Sequence, residues 1–477
     1  MVMQTTIRNG SVLNFGMLDQ FIYYIFIKFN GRYRLMVSTL SWTKYGPLED
    51  ETSILDPLAF DYFAQLLGNV VLPSFTTRTS RARYYSMVCY GIYISNIYLQ
   101  KKGKIYYEKD VLDAFKLYEK YWARAIVEHY DGKLYERDGK ERELRGKRGA
   151  LRAYNDKTVS LNFRFLTRQL ELGGLGAYRS SLEDLELIKE DLNLTHKGMN
   201  LAKNFINIST YDKLVLRAMN EEKIIMKEGK GTLSSFGFHG SLDGRINEAS
   251  AKYFVPVHQV EMNLLREYIL DNPKNNAAIT YIYENLNAGY PMNIVEQISI
   301  QNAKTDIGKK VILGFNTILA FEKLAIIINR IWCVIIRTAE EYLGKLTIDQ
   351  AIAGCREHLD LLSEGQHIIR LLEQTEYIKI VNSFHGSSFA LFINGFQNMT
   401  KNEYGNFLTE LTKYHTSVMK RRNSGTWIVL DGSDIIVTSG YDYPRKTERL
   451  EFLHGYKISN ISMLINDTGW VPDDKVY

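Results

Sequence analysis

The stretch from Val311 to Gly344 constrains the fold more than any other part of the chain. It is apolar over most of its length, yet Glu322-Lys323, Arg330 and Arg337 interrupt it. The uncharged pieces between these charges fall short of the roughly 20 residues that a transmembrane span needs. The segment is therefore predicted to be a long helix inside a core, with other elements packed around it. Lys323, Arg330 and Arg337 recur every seven residues and so drift only about 20° per step, which makes them one edge of that helix. The edge reads as the solvent side, with Arg337 in helical reach of Glu340 and Glu341. The alternative is a basic stripe that tracks a phosphate backbone or an acidic partner.

The remaining composition agrees with a helical protein. Of 477 residues only eight are proline, 45% are hydrophobic and 24% charged, which is ordinary for a globular chain. That length allows about two to four domains of roughly 150 residues. The 32 tyrosines are numerous, and each buried one needs a partner for its hydroxyl. A net charge of +5 permits an acidic partner without requiring one. Cys89, Cys333 and Cys355 lie far apart in apolar surroundings and read as reduced core thiols. The first residues lack the basic and apolar blocks of a signal peptide, so a cytoplasmic location is expected, with no membrane partner.

The expected fold is mainly α, multi-helical, with a winged-helix-like module and small β-hairpins. Residues 1–40 read as an N-terminal β-hairpin appendage, because Asn30-Gly31 separates two β-prone runs. Residues 41–132 form a helical domain in which Asp56-Pro57 starts a helix and Gly68 closes it. Its centre is Leu72 to Leu99, where Arg78, Arg81 and Arg83 precede a buried helix that Thr79 or Ser80 would cap. Residues 133–155 form a charged linker. Twelve of the twenty residues from 133 to 152 are charged, eight of them basic, and such a run is expected to stay solvated. Residues 156–210 make the winged-helix-like module, with a helix at 160–172, a helix start at Ser181 to Asp184, and Thr195 capping a further helix. Residues 211–395 are helical, with starts at Pro256 and Pro291 and a capping box from Thr347 to Gln350. Residues 396–477 hold a helix capped from Thr400 to Glu403, then a hairpin turning at Asp431-Gly432.

A helix start flanked by hydroxyls and guanidinium groups suits an anion, which makes Arg78, Arg81 and Arg83 the first candidates for nucleic-acid contact. Arg145, Lys147 and Arg148 form an auxiliary arm. The bland reading is that the first three pair with the protein's own carboxylates. Asp431 and Asp434 are the alternative site, a pair able to hold Mg²⁺ in a nuclease. Phosphate loops are absent: Gly229 to Thr232 lacks the P-loop frame, and Gly173 to Gly176 lacks a preceding strand. The histidines show no metal-ligand spacing, and neither His239-Gly240 nor the segment from His385 to Ser388 has a nucleophile elbow. No cofactor is expected.

The blocks Leu55-Asp56-Pro57-Leu58 and Pro73-x-x-Thr76-x-x-Thr79-x-Arg81-Ala82-Arg83-Tyr84-Tyr85 resemble the N-terminal signature of a group of uncharacterised bacterial proteins. Gly173-Gly174-Leu175-Gly176-Ala177-Tyr178 and Leu194-Thr195-x-x-Gly198-x-x-Leu201-Ala202 are similar to that group's second block. The resemblance spans roughly residues 41–210. Because these proteins occur in mobile and antiphage-defence gene clusters, it implies a defence-linked role, and it carries no catalytic residues. The function expected is a non-enzymatic component that binds DNA, RNA or partner proteins of a multi-gene system. A metal-dependent nuclease and a structural scaffold subunit are the alternatives.

Overall fold

The computed structural model describes residues 5–7, 10–13, 22–29, 32–39, 56–103, 107–129, 132–133, 144–206, 211–224, 226–227, 230–231, 259–373, 383–396, 403–440 and 453–472. Pro256, His239, Thr400 and most of the charged run at 134–143 lie outside these residues.

Residues 1–52 form one unit and residues 53–477 another. The first is an antiparallel meander of β1 (Thr5–Ile7), β2 (Gly10–Leu13), β3 (Ile22–Phe29) and β4 (Arg32–Thr39). β3 pairs with β4 up to Phe29 and Arg32, on either side of Asn30-Gly31, which itself lies outside the described residues.

The second unit is mainly helical, with sixteen α-helices among the described residues. They are α1 (Phe60–Val71), α2 (Arg83–Lys101), α3 (Glu108–His129), α4 (Lys147–Asn155), α5 (Gln169–Leu172), α6 (Gly174–Asp184), α7 (His196–Asn204) and α8 (Tyr211–Glu221). A short strand pair follows, β5 (Met226–Lys227) with β6 (Lys230–Gly231). Then come α9 (Gln259–Leu265), α10 (Asn276–Glu284), α11 (Pro291–Ser299) and α12 (Asp306–Glu341). After β7 (Lys345–Thr347) the chain runs through α13 (Ile348–Glu373), α14 (Gly386–Phe396) and α15 (Tyr404–Arg421). Strands β8 (Ile428–Asp431) and β9 (Asp434–Val437) precede α16 (Ile458–Thr468).

The long apolar segment is α12, and it lies in the core. It is long and apolar enough to cross a membrane, but 67% of its apolar window is buried inside the protein. Lys323 and Arg337 are exposed and Arg330 half-buried, so the seven-residue stripe is the edge facing solvent. Lys323 pairs there with Glu296 at 3.8 Å. Opposite that edge, Phe321 meets Phe60 and Phe63 of α1 with ring centroids 5.9 and 6.1 Å apart. Antiparallel to α12 runs α13, and its start is the predicted capping box: Thr347 N–H donates to Gln350 at 2.8 Å and Gln350 N–H to Thr347 at 3.2 Å.

Several local expectations are corrected by long-range contacts. Gly68 does not end α1, which continues to Val71, and Asp56 reaches forward to the N–H of Phe60 at 2.7 Å. Thr79 does not cap α2, because its hydroxyl turns back to the carbonyl of Thr76 at 2.9 Å. Ser181 to Asp184 is the end of α6 and not a helix start, since the buried Glu119 of α3 accepts the N–H of Gly174 and begins that helix earlier. Most of 160–172 is bends, turns and irregular backbone, with only α5 helical. The C-terminal hairpin gains β7 as a third strand, in the order β7-β9-β8. Residues 147–155, expected in a solvated linker, form α4 with Lys147 buried.

Candidate nucleic-acid interface

The anion cradle expected at the head of α2 exists, and the protein fills it from within. Asp467 at the end of α16 accepts the N–H of Ala82 at 3.0 Å and pairs with the Arg81 guanidinium at 2.8 Å. Arg83 is 1% exposed and lies 3.5 Å from Glu261, itself fully buried. It also donates to the Phe205 carbonyl at 3.1 Å and sits 4.8 Å over the Phe205 ring. A guanidinium taken out of water requires such partners, because an uncompensated buried charge is strongly unfavourable. Arg78 is half-buried and donates to the Glu171 carbonyl at 3.3 Å. Arg81 and Arg83 are therefore internal struts, closed to a visiting polyanion, which corrects the first expectation.

The auxiliary set divides. Arg145 bridges two segments, donating to the carbonyls of Arg78 at 2.6 Å and Leu172 at 3.2 Å, while its own N–H donates to the Tyr84 hydroxyl. Lys147 is buried on the inner side of α4. Arg148 alone is exposed. The reason is how α4 is laid down. Gly146 has φ +71°, and a Cβ there would meet the Phe165 ring at 2.0 Å. A Cβ on Gly149 would stand 2.4 Å from the Phe165 carbonyl. The helix thus lies flat on the 161–165 strip and shows its other side to solvent. Arg148 and Arg152, one turn apart, share that side. Arg164 is exposed on the strip beside them, and Lys133 is exposed next to Gly132, which packs on Tyr154.

No protein-family model, curated protein or solved structure matches the chain.

The site's chemistry therefore rests on its own geometry. Arg148, Arg152 and Arg164 have no carboxylate partner among the described residues. Two half-buried rings lie among these cations. The Arg124 guanidinium is 5.0 Å from the Tyr154 ring centre, and the Lys120 amine is 5.8 Å from that of Phe163. Partial burial, helped by the neighbouring Lys116 charge, lowers the Lys120 pKa, with Glu222 opposing. Among the described residues the acids nearby are Asp156, Glu222 and Glu128, and Glu128 is held by Arg124 at 2.5 Å. Sequence reasoning missed Arg152, Arg164, Tyr154 and Phe163. The four-residue spacing of Arg148 and Arg152 was a usable signal, whereas the approach of Arg164 to α4 was not.

The rival site gains little. Asp431 and Asp434 face each other across the β8–β9 turn, where Gly432 has φ +62°. Lys345 of β7 holds Asp434 at 2.8 Å, which neutralises one of the two charges a cation would need. Among the described residues no group of three or more His, Cys, Asp or Glu side chains is placed to hold a metal ion. Ser388 hydrogen-bonds Ser417 at 2.8 Å, and no hydrogen bond joins it to His385.

Another titratable cluster, unforeseen from the sequence, is structural. His454 lies between Glu322 at 2.8 Å and Asp61 at 3.0 Å. Burial alone would lower its pKa, but the bonds to Asp61 and Glu322 overcome that and push it up to about 10. Tyr456 donates its hydroxyl to the same Glu322, which also accepts the N–H groups of Leu453 and His454. An imidazolium clamped by two carboxylates cannot serve as a base near neutrality, so it ties the C-terminal segment to α12 and α1.

Proposed function

We propose that the chain is a non-catalytic, nucleic-acid-binding component of a bacterial antiphage-defence-type system, acting in the cytoplasm with partner proteins. In this reading the sugar–phosphate backbone lies along α4 and the 161–165 strip. The observation that carries it is that Arg148, Arg152 and Arg164 are exposed and have no carboxylate partner among the described residues, while Arg81, Arg83 and Arg124 within the fold are matched by Asp467, Glu261 and Glu128. Exposed guanidinium groups without internal counter-charges are the chemistry that phosphates neutralise, with release of counterions. The defence-linked part rests on the resemblance carried by the blocks around Arg81 and Gly173. Reading 156–210 as winged-helix-like, and hence as a DNA-binding module, leans on three details. Thr195 caps α7 by accepting from Gly198 N–H at 3.2 Å, Gly198 packs against the Leu187 carbonyl, and Ile188 bridges Leu194.

The test is fluorescence anisotropy of a labelled oligonucleotide at several salt concentrations, using the wild type and an Arg148→Glu/Arg152→Glu/Arg164→Glu variant. The wild type is expected to bind with a steep salt dependence. The variant should lose affinity and flatten the logarithmic slope by about 0.9 for each phosphate contact removed. Equal binding by the two proteins refutes the assignment of this face.

A further inference from the structure

We infer that the corner between α11 and α12 docks on the surface of an anionic lipid bilayer. The inference goes beyond the proposed function and stands on different residues. Ile300, which directly follows α11, is 73% exposed, and Ile307, in the first turn of α12, is 60% exposed. Leu313 is exposed six residues further on. Lys310, also exposed, lies three residues from both Ile307 and Leu313, so the three follow one another along the outer side of the helix. Gly308, Ile312 and Phe315 take the inner side.

The corner is fixed in this attitude. Gly308 N–H donates to the Thr305 hydroxyl at 3.1 Å, which caps α12. A Cβ on Gly308 would stand 2.7 Å from the Tyr281 hydroxyl, so the first turn is pressed against α10 while Ile307 stays in water. On the approach to that turn, Gln301 donates its side-chain amide to Asn285 at 3.2 Å.

Charge decides what the apolar side chains meet. Lys304, Lys309 and Lys310 are exposed around them. Asp306 matches Lys309 at 3.2 Å, whereas Lys304 and Lys310 have no acid partner among the described residues. Lysines beside projecting apolar side chains complement a layer in which lipid phosphates lie over acyl chains. A protein partner would need a shaped pocket for each projecting residue, and a fluid bilayer needs none. The contact is interfacial, because the apolar window of α12 is mostly buried within the protein and only its outer turns are presented.

The experiment is co-sedimentation of the full chain with vesicles of phosphatidylcholine mixed with phosphatidylglycerol and, separately, of phosphatidylcholine alone. The anionic vesicles should bind at least about tenfold more tightly, since each lysine near such a surface adds roughly fivefold. Ile300→Ser and Ile307→Ser should each weaken that binding by about tenfold, and Ile307→Leu should keep it. Lys304→Gln with Lys310→Gln should abolish the preference for anionic vesicles. The Arg148→Glu/Arg152→Glu/Arg164→Glu variant should bind them as the wild type does, which separates this corner from the face of α4. All the substituted side chains are exposed, so thermal melts should not move. No binding to anionic vesicles, or binding that both serine variants retain in full, overturns the inference and leaves the nucleic-acid reading untouched. Retention on immobilised poly-glutamate without vesicle binding would give the corner to an acidic protein and overturns it likewise.

Discussion

Two groups of arginines lie at or on helices in this molecule, and their fates are opposite. Arg81 and Arg83 at the head of α2 are drawn inside and matched by Asp467 and Glu261. Arg148 and Arg152 on α4 are exposed, with no acid partner among the described residues. In sequence the first group looks the better anion site, because it has more hydroxyls and leads a longer apolar helix. The difference is made elsewhere in the chain: α9 and α16 bring carboxylates to the first group, and among the described residues nothing comparable reaches the second. A dense arginine cluster next to an apolar run is thus as much a sign of internal pairing as of a ligand, and exposure separates the two.

The largest effect expected from breaking this contrast is at Arg83. Arg83→Met takes the guanidinium away from the buried Glu261, and should cost about 3–5 kcal/mol in chemical denaturation. Adding Glu261→Leu should restore most of that loss, since the pair is then replaced by apolar groups of similar volume. A single variant with an unchanged denaturation midpoint would mean that the inner arginines are not structural.

The next effect concerns another inner cation, His454, and appears as a pH profile. Its folded pKa of about 10 is above its unfolded value, so the folded state holds the proton more tightly. The stability it contributes is complete below its ordinary value of 6.5 and is lost as pH rises towards about 10. Thermal melts should fall across that window, and Glu322→Gln should flatten the decline. His415 works the other way. It donates to the Pro57 carbonyl and accepts the Trp427 N–H, and burial lowers its pKa to about 4. Its contribution is present above 6.5 and disappears as pH falls towards about 4.

The smallest effect on stability sharpens the contrast from the other side. Arg148→Ala and Arg152→Ala should each change unfolding free energy by no more than about 0.5 kcal/mol, because both side chains are exposed and neither is paired with an acid among the described residues. A loss several times larger, measured by the same denaturation, would place α4 among the structural arginines and remove the distinction.

Features that depend on neighbours in sequence were legible. The capping box at Thr347 and Gln350, Pro291 at the first turn of α11, the Thr195 cap of α7 and the antiparallel pairing of β3 with β4 all involve partners close in sequence. The long apolar segment with its seven-residue stripe likewise announced a core helix with one solvent edge. What escaped was set by distant partners. Glu119 starts α6 from α3, β7 joins the hairpin after α15, and Arg164 approaches α4 through the closeness of Gly149 to the 161–165 backbone.

From its own residues, then, the chain determined that it would be mainly helical, where many helices begin, and which long segment would be central. These follow from periodicity and capping, which act over a turn or two of backbone. Only the tertiary structure decided which arginines face water, because that depends on carboxylates carried in from remote segments and on the cost of leaving a buried charge unmatched. The division of this protein's cations into struts and contact points is a property of packing.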